Sequence, residues 1–186
     1  YTFVQRRWRM AFSADAVANE YLDLAKAEGA EITPLQIQKL VYFAHGWHLA
    51  LTGEPLIKEC IEAWKHGPVI QGLYREFKKF GNEPITSKAV DAQVASNRVV
   101  SMWEPSLIAE AGETNAQDAA YAKAIIRRLW ELYKNYTGPQ LRAITHQAGT
   151  PWHQVVSAFP KGQFLLGVTI PNELIGQYFR SHSKAS

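Results

Sequence analysis

Six histidines stand in the chain, and His45 and His48, three residues apart in a helical pattern, are the pair whose spacing could place two ligands on a metal ion. A zinc-binding helix sets its histidines four apart with a glutamate between them as general base, whereas Gly46-Trp47 fills this interval. A third ligand would have to come from His146 or His153, each far along the chain, and no carboxylate partner is fixed. The pattern therefore argues against a metal, with His48 read as a packed or capping residue and His45 as solvated. Cys60 lies in an apolar run, the setting of a small buried hydrophobe rather than of an activated thiolate. No serine occupies a G-x-S-x-G elbow, and neither a P-loop nor G-x-G-x-x-G is present. Glu20, Asp23, Glu62 and Glu76 are scattered, so spacing selects no acid–base pair. The chain reads as a non-enzyme with no catalytic residue, no metal and no cofactor.

Two rigid corners remain, each pairing backbone punctuation with aromatics and histidines. They are Trp64-Lys65-His66-Gly67-Pro68, and Thr145-His146 followed by Pro151-Trp152-His153. Loops fixed by glycine and proline can present tryptophan and histidine to a partner. They can equally be structural, with His146 capping a helix end and Trp152 plugging the core. The general habit of large aromatics to bury favours the structural reading.

The elements that position these corners start from Thr33–Gly53. Thr33 is the expected N-cap, Pro34 suits the first helical position, and Gln36 completes a capping box. Ile37, Leu40, Val41, Ala44, Trp47, His48 and Leu51 recur at helical spacing, while Tyr42, Phe43 and Leu49 make a second side apolar. That predicts a central helix ended by Gly53, and Gly46 inside it predicts close approach of another backbone. Before it, Ser13 caps a helix running to Gly29. After it, Ile61–Trp64 reads as a short strand, and Val69–Phe77 as a third helix with Lys78-Lys79 in its last turn. Residues 82–114 read as a loop with one strand, Arg98–Trp103, and one short helix. A long helix then runs from Asn115 to about Tyr136, followed by proline-started helices after Thr137 and Thr150, a strand at Phe164–Val168, and a last helix from Pro171. The expected architecture is mainly α: a compact single-domain helical bundle with a small antiparallel β element.

Bulk numbers narrow the class further. The 186 residues are 47% hydrophobic and 12% aromatic, enough for one domain with a sizeable core. One cysteine excludes an internal disulfide and suits a reducing cytoplasm, and no apolar run approaches the ~18 residues a membrane span needs. The net charge of +3 rests on Arg6, Arg7 and Arg9, since removing these three from 20 basic residues leaves 17 against 17 acidic ones. Nucleic acid is therefore not the expected partner. Residues 1–9 read as an upstream or expression-derived addition ahead of Met10, within an N-terminal extension of residues 1–12. The domain is expected over 13–180, with 181–186 as a tail.

Three stretches together carry a family resemblance: Leu35–Trp47 (LQIQKLVYFAHGW), Glu62–Gly81 (EAWKHGPV and LYREFKKFG), and Gly138–Trp152 (GPQLRAITH…PW). In this order they resemble the Panacea domain, a SocA-like, phage-associated family of antitoxins. The resemblance implies a mainly helical fold, no catalysis, and binding of a protein toxin; one member instead delivers its toxin to a protease. Many relatives carry a variable region before the domain, where residues 1–12 stand here. On this reading the motif residues Gln38, Lys39, Leu40, Tyr42, Gly46, Gly67 and Pro68, with Thr145, His146, Pro151 and Trp152, are scaffold. Tyr42, Trp64, Lys65, His66, Tyr74 and Arg75 are expected nearest the partner. The leading function is an antitoxin or proteolytic adaptor, and the second is a phage or prophage protein that inhibits a host defence effector. Partners are a cognate toxin or host effector, with a protease for an adaptor and self-association left open.

Overall fold

Helix α2 (Pro34–Thr52) runs through the middle of the molecule, and every residue from Ile37 to Gly46 on it is buried. The computed structural model describes residues 11–160 and 167–183. The expected start of α2 is present in full. The Thr33 side chain accepts from the Gln36 N–H, the Thr33 N–H donates to the Gln36 side chain at 2.8 Å, and Gly53 closes the helix at φ +79°. A helix apolar on two sides needs cover on two sides. It gets this from α1 (Ala14–Glu28), α3 (Gln71–Phe77), α5 (Ala116–Tyr133), α6 (Gly138–Thr145) and α8 (Asn172–Ser183). The remaining helices are α4 (Leu107–Ala111) and α7 (Pro151–Ser157). The molecule is mainly α, as the sequence predicts.

Two antiparallel hairpins complete it. Strands β1 (Glu62–Trp64) and β2 (Gly67–Val69) pair across the two-residue turn Lys65-His66. Strands β3 (Asp91–Ala95) and β4 (Arg98–Trp103) pair across Ser96-Asn97, whose φ values of +50° and +61° suit a primed hairpin turn. Buried Asn19 of α1 holds both ends of this second hairpin. Its amide donates to the carbonyls of Ala89 (3.0 Å) and Pro105 (2.9 Å) and accepts from the Ala89 N–H at 2.8 Å.

Several expectations need correcting. The third helix does not open at Val69: Pro68 and Val69 belong to β2, and α3 starts at Gln71. Lys78-Lys79 form a 3₁₀ turn beyond it rather than its last α-helical turn. Residues 82–114 hold two strands instead of one. Helix α5 stops at Tyr133, three residues early, and α8 continues to Ser183. Cys60 is exposed rather than buried. Gly46 does mark a close approach, but the neighbour is a side chain, the ring of Phe179 on α8. The proposed nature of residues 1–9 lies outside the described residues, as does most of the strand expected at Phe164–Val168. Beside that stretch, the Val168 carbonyl accepts from the Ala63 N–H at 2.8 Å, and Thr169 bridges Glu62 in antiparallel fashion.

Candidate protein-binding corner

The Gln-Lys pair on α2 explains how the first hairpin is held. Gln38 is buried and offers its side-chain amide as a backbone substitute. It donates to the Ile70 carbonyl at 3.1 Å and accepts from the Ile70 N–H at 3.0 Å, which pins the chain where β2 becomes α3. Lys39 is fully buried, and its ammonium donates to the carbonyls of His66 (3.1 Å) and Pro68 (2.8 Å). A buried charge demands partners, and two carbonyl dipoles at the hairpin tip supply them. Burial, and then the nearby Arg142 charge, lowers the Lys39 pKa to about 7.

Gly67 is required at this junction for two separate reasons. Its φ of +104° is costly for any residue with a Cβ, and a Cβ there would lie 2.8 Å from the Lys39 ammonium and 3.0 Å from the Thr145 hydroxyl oxygen. The second corner thus packs directly on the first. The Trp152 indole N–H donates to the Trp64 carbonyl at 2.7 Å, and the His146 and Trp152 rings lie 3.9 Å apart. His146 donates from Nδ1 to the Arg142 carbonyl at 2.8 Å. Thr150 caps α7 by accepting from the His153 N–H.

Held from beneath in this way, the tip presents a cluster. Lys65 and His66 are exposed at the turn. Trp64 is half-buried, with its indole N–H on the Glu62 carboxylate at 2.7 Å and its ring edge-to-face with Tyr74 at 5.1 Å. Tyr74 is 44% exposed on α3, and Arg75 beside it is exposed and bonded to Gln71. Five of the six residues expected nearest a partner are therefore grouped by the hairpin and α3. Tyr42 is the exception and a correction: it is only 2% exposed, packed edge-to-face on Phe179 at 5.9 Å. Its side chain belongs to the scaffold and borders a cavity of about 220 Å³ between α2 and α8, on which Trp47 and Tyr178 also stand.

Arg142 was not singled out by the sequence reading, although it lies inside the Gly138–Trp152 motif. The structure sets it beside the tip: desolvation, and then the charges of Arg142, Lys65 and Lys39, lower the His66 pKa. The signal is its place one helical turn before His146.

The histidines expected to be dispensable for chemistry are occupied structurally. His45 is not solvated but fully buried. Its Nε2–H donates to Asn172 at 2.9 Å, its Nδ1 accepts from the Ile57 N–H at 3.3 Å, and burial lowers its pKa to about 4. His48 donates from Nδ1 to the Glu54 carbonyl at 2.8 Å. Among the described residues, no three His, Cys, Asp or Glu side chains converge as a metal-holding group. Nor is any described helix long and apolar enough to cross a membrane.

Comparison with known proteins agrees with the motif order. The model of the family described as "Antitoxin SocA-like, Panacea domain" matches residues 37–153, a span that contains both corners and the α2 clamp. The chain is also similar to the antitoxin SocA of Caulobacter vibrioides (strain NA1000 / CB15N), at 34% identity over 167 residues, covering 90% of this chain and 82% of that protein. No solved structure matches it. On the family match and this identity, the chain belongs to the SocA-like, Panacea-domain antitoxin family.

Proposed function

We propose that this protein is a non-enzymatic antitoxin or adaptor that neutralises a protein toxin by direct contact, using the corner formed by the β1–β2 tip and α3. The observation that carries the reading is the ring pair of half-buried Trp64 and exposed Tyr74 on a hairpin braced from beneath by Gln38, Lys39 and Trp152. Interfaces draw most of their energy from a few Trp, Tyr and Arg anchors on rigid supports. Here two aromatics and Arg75 share one such support. Motif residues beneath the corner are spent on hydrogen bonds to the backbone, which suits a scaffold that keeps its shape while the exposed residues meet a partner.

The test is co-expression with the product of the adjacent reading frame, scored by growth rescue and by co-purification. Tyr74→Ala and Arg75→Ala are expected to weaken the complex, Tyr74→Ala by about 2 kcal/mol or more, and to reduce rescue while leaving the thermal midpoint near that of the parent. Full rescue by both variants would remove this corner from the contact.

A further inference from the structure

The corner has a charge character of its own. Lys65 and His66 form the tip, the Lys39 ammonium lies beneath it, and α6 packs against Gly67 through Thr145 and His146 with Arg142 one turn away, so that the charges of Arg142, Lys65 and Lys39 all act on His66 with positive sign. Among the described residues no carboxylate lies within ion-pair distance of Lys65, Arg75 or Arg142, a feature they share with Lys26, Lys78, Arg98, Arg127, Arg128 and Arg180; what sets the corner apart is that its cations stand beside two aromatic rings. The Glu62 carboxylate accepts from the Trp64 indole N–H and, among the described residues, ion-pairs with no cation. Cations without ion pairs beside half-buried Trp64 and exposed Tyr74 leave an electrostatic demand that the chain itself does not meet.

We infer that the corner docks an acidic segment of its protein partner, with carboxylates on Lys65 and Arg142 and an apolar side chain against Trp64–Tyr74. The inference rests on the corner being the toxin-binding face and adds the chemistry of what meets it. A nucleic-acid strand fits less well. Strand binding uses a cationic groove with rings free to stack on bases, whereas the Tyr74 ring packs edge-to-face on Trp64. The charge balance of the chain beyond residues 1–9 points the same way.

The experiment uses three fluorescein-labelled probes: a glutamate-rich peptide with one leucine and one phenylalanine, the same peptide with glutamine for glutamate, and a single-stranded DNA of equal length. The acidic peptide is expected to bind best. Lys65→Glu and Arg142→Glu should each weaken it about tenfold or more, with the affinity falling as salt rises. Lys65 is exposed in a turn, so Lys65→Glu keeps the test valid if Arg142→Glu fails to fold; helicity and thermal midpoint establish which variants fold. Equal binding of the glutamine peptide, or no loss on charge reversal, overturns the inference. So does tighter binding of the DNA that is lost in the same variants, which would assign the cations to nucleic acid. Rescue assays on the same variants separate the two levels. If charge reversal leaves rescue intact while Tyr74→Ala abolishes it, the corner stands and the acidic segment falls. If none of the variants affects rescue, both fall.

Discussion

The ring of Phe179 lies where an alanine side chain at Gly46 would have to go, its Cε2 2.2 Å from that Cβ position. This single contact explains a glycine in the middle of the best-buried helix and sets how closely α8 packs on α2. Gly46→Ala should gain about 1 kcal/mol in helix propensity but lose more by forcing Phe179 off its rotamer or α8 outward. A net destabilisation of about 1–3 kcal/mol is expected in urea unfolding. Phe179→Leu should cost stability alone but recover part of the loss when combined with Gly46→Ala. Simple additivity in this double-mutant cycle would mean the two residues are not coupled.

Lys39 supplies the second prediction. Lys39→Met keeps the stem's volume but leaves the His66 and Pro68 carbonyls without their donor, at an expected cost of about 1–3 kcal/mol. The folded-state pKa of about 7 lies below the ordinary lysine value of 10.5, so between those values the unfolded chain binds the proton more strongly. Stability of the parent should therefore rise with pH across that window, and Lys39→Met should flatten the rise. Hydrogen exchange at His66 and Gly67 should increase in the variant more than exchange in α5.

Two groups with large shifts pull the acid limb in opposite directions. His45, neutral and buried with a pKa lowered to about 4 from 6.5, contributes stability above about pH 6.5 that is lost as pH falls towards 4. The full effect is up to about 3 kcal/mol. Asp15 does the reverse. Partial burial, then the charges of Glu76, Glu59, Asp91 and Glu110, raise its pKa to about 6, so the folded state takes up a proton first and gains stability as pH falls from about 6 to about 4. His45→Gln should flatten the acid limb of a pH–stability curve. Asp15→Asn should steepen that limb and, with its partial solvent exposure discounted, raise stability at pH 7 by about 1 kcal/mol. Identical curves for parent and both variants would show that neither group governs the limb.

How much was legible beforehand depended on whether a signal was local. The α2 boundaries followed from Thr33, Pro34, Gln36 and Gly53 because capping is decided within four residues. The same logic placed α6 after Thr137, where a second capping box forms with Gln140. Strand β3 was missed because Asp91-Ala-Gln carries little β propensity and Ser96-Asn97 replaces the usual glycine-containing turn. At the corner, Trp64, Lys65, His66, Tyr74 and Arg75 could be grouped through motif order, but their support could not. Nothing local says that Gln38 will bond Ile70, or that Lys39 will cross to the carbonyls of His66 and Pro68. Tyr42 was misplaced for the same reason: its exposure is decided by α8, which returns to cover it from the far end of the chain.

The last prediction concerns the brace between the two corners. Trp152→Phe keeps a ring beside His146 but removes the N–H that reaches the Trp64 carbonyl at 2.7 Å. The lost hydrogen bond and the lost ring volume should together cost about 1–2 kcal/mol. Because the bond ends on the backbone of Trp64, the effect should be concentrated at the tip: exchange at Lys65 and His66 should rise, and the indole environment of Trp64 should change. On the proposed function, rescue in the co-expression assay should then weaken in Trp152→Phe even at temperatures where the fold is intact. If exchange rises uniformly over the molecule and rescue follows global stability alone, Trp152 is only a core residue. If the loss is local to the tip, the Thr145–Trp152 corner serves to hold the β1–β2 hairpin in the shape its partner meets.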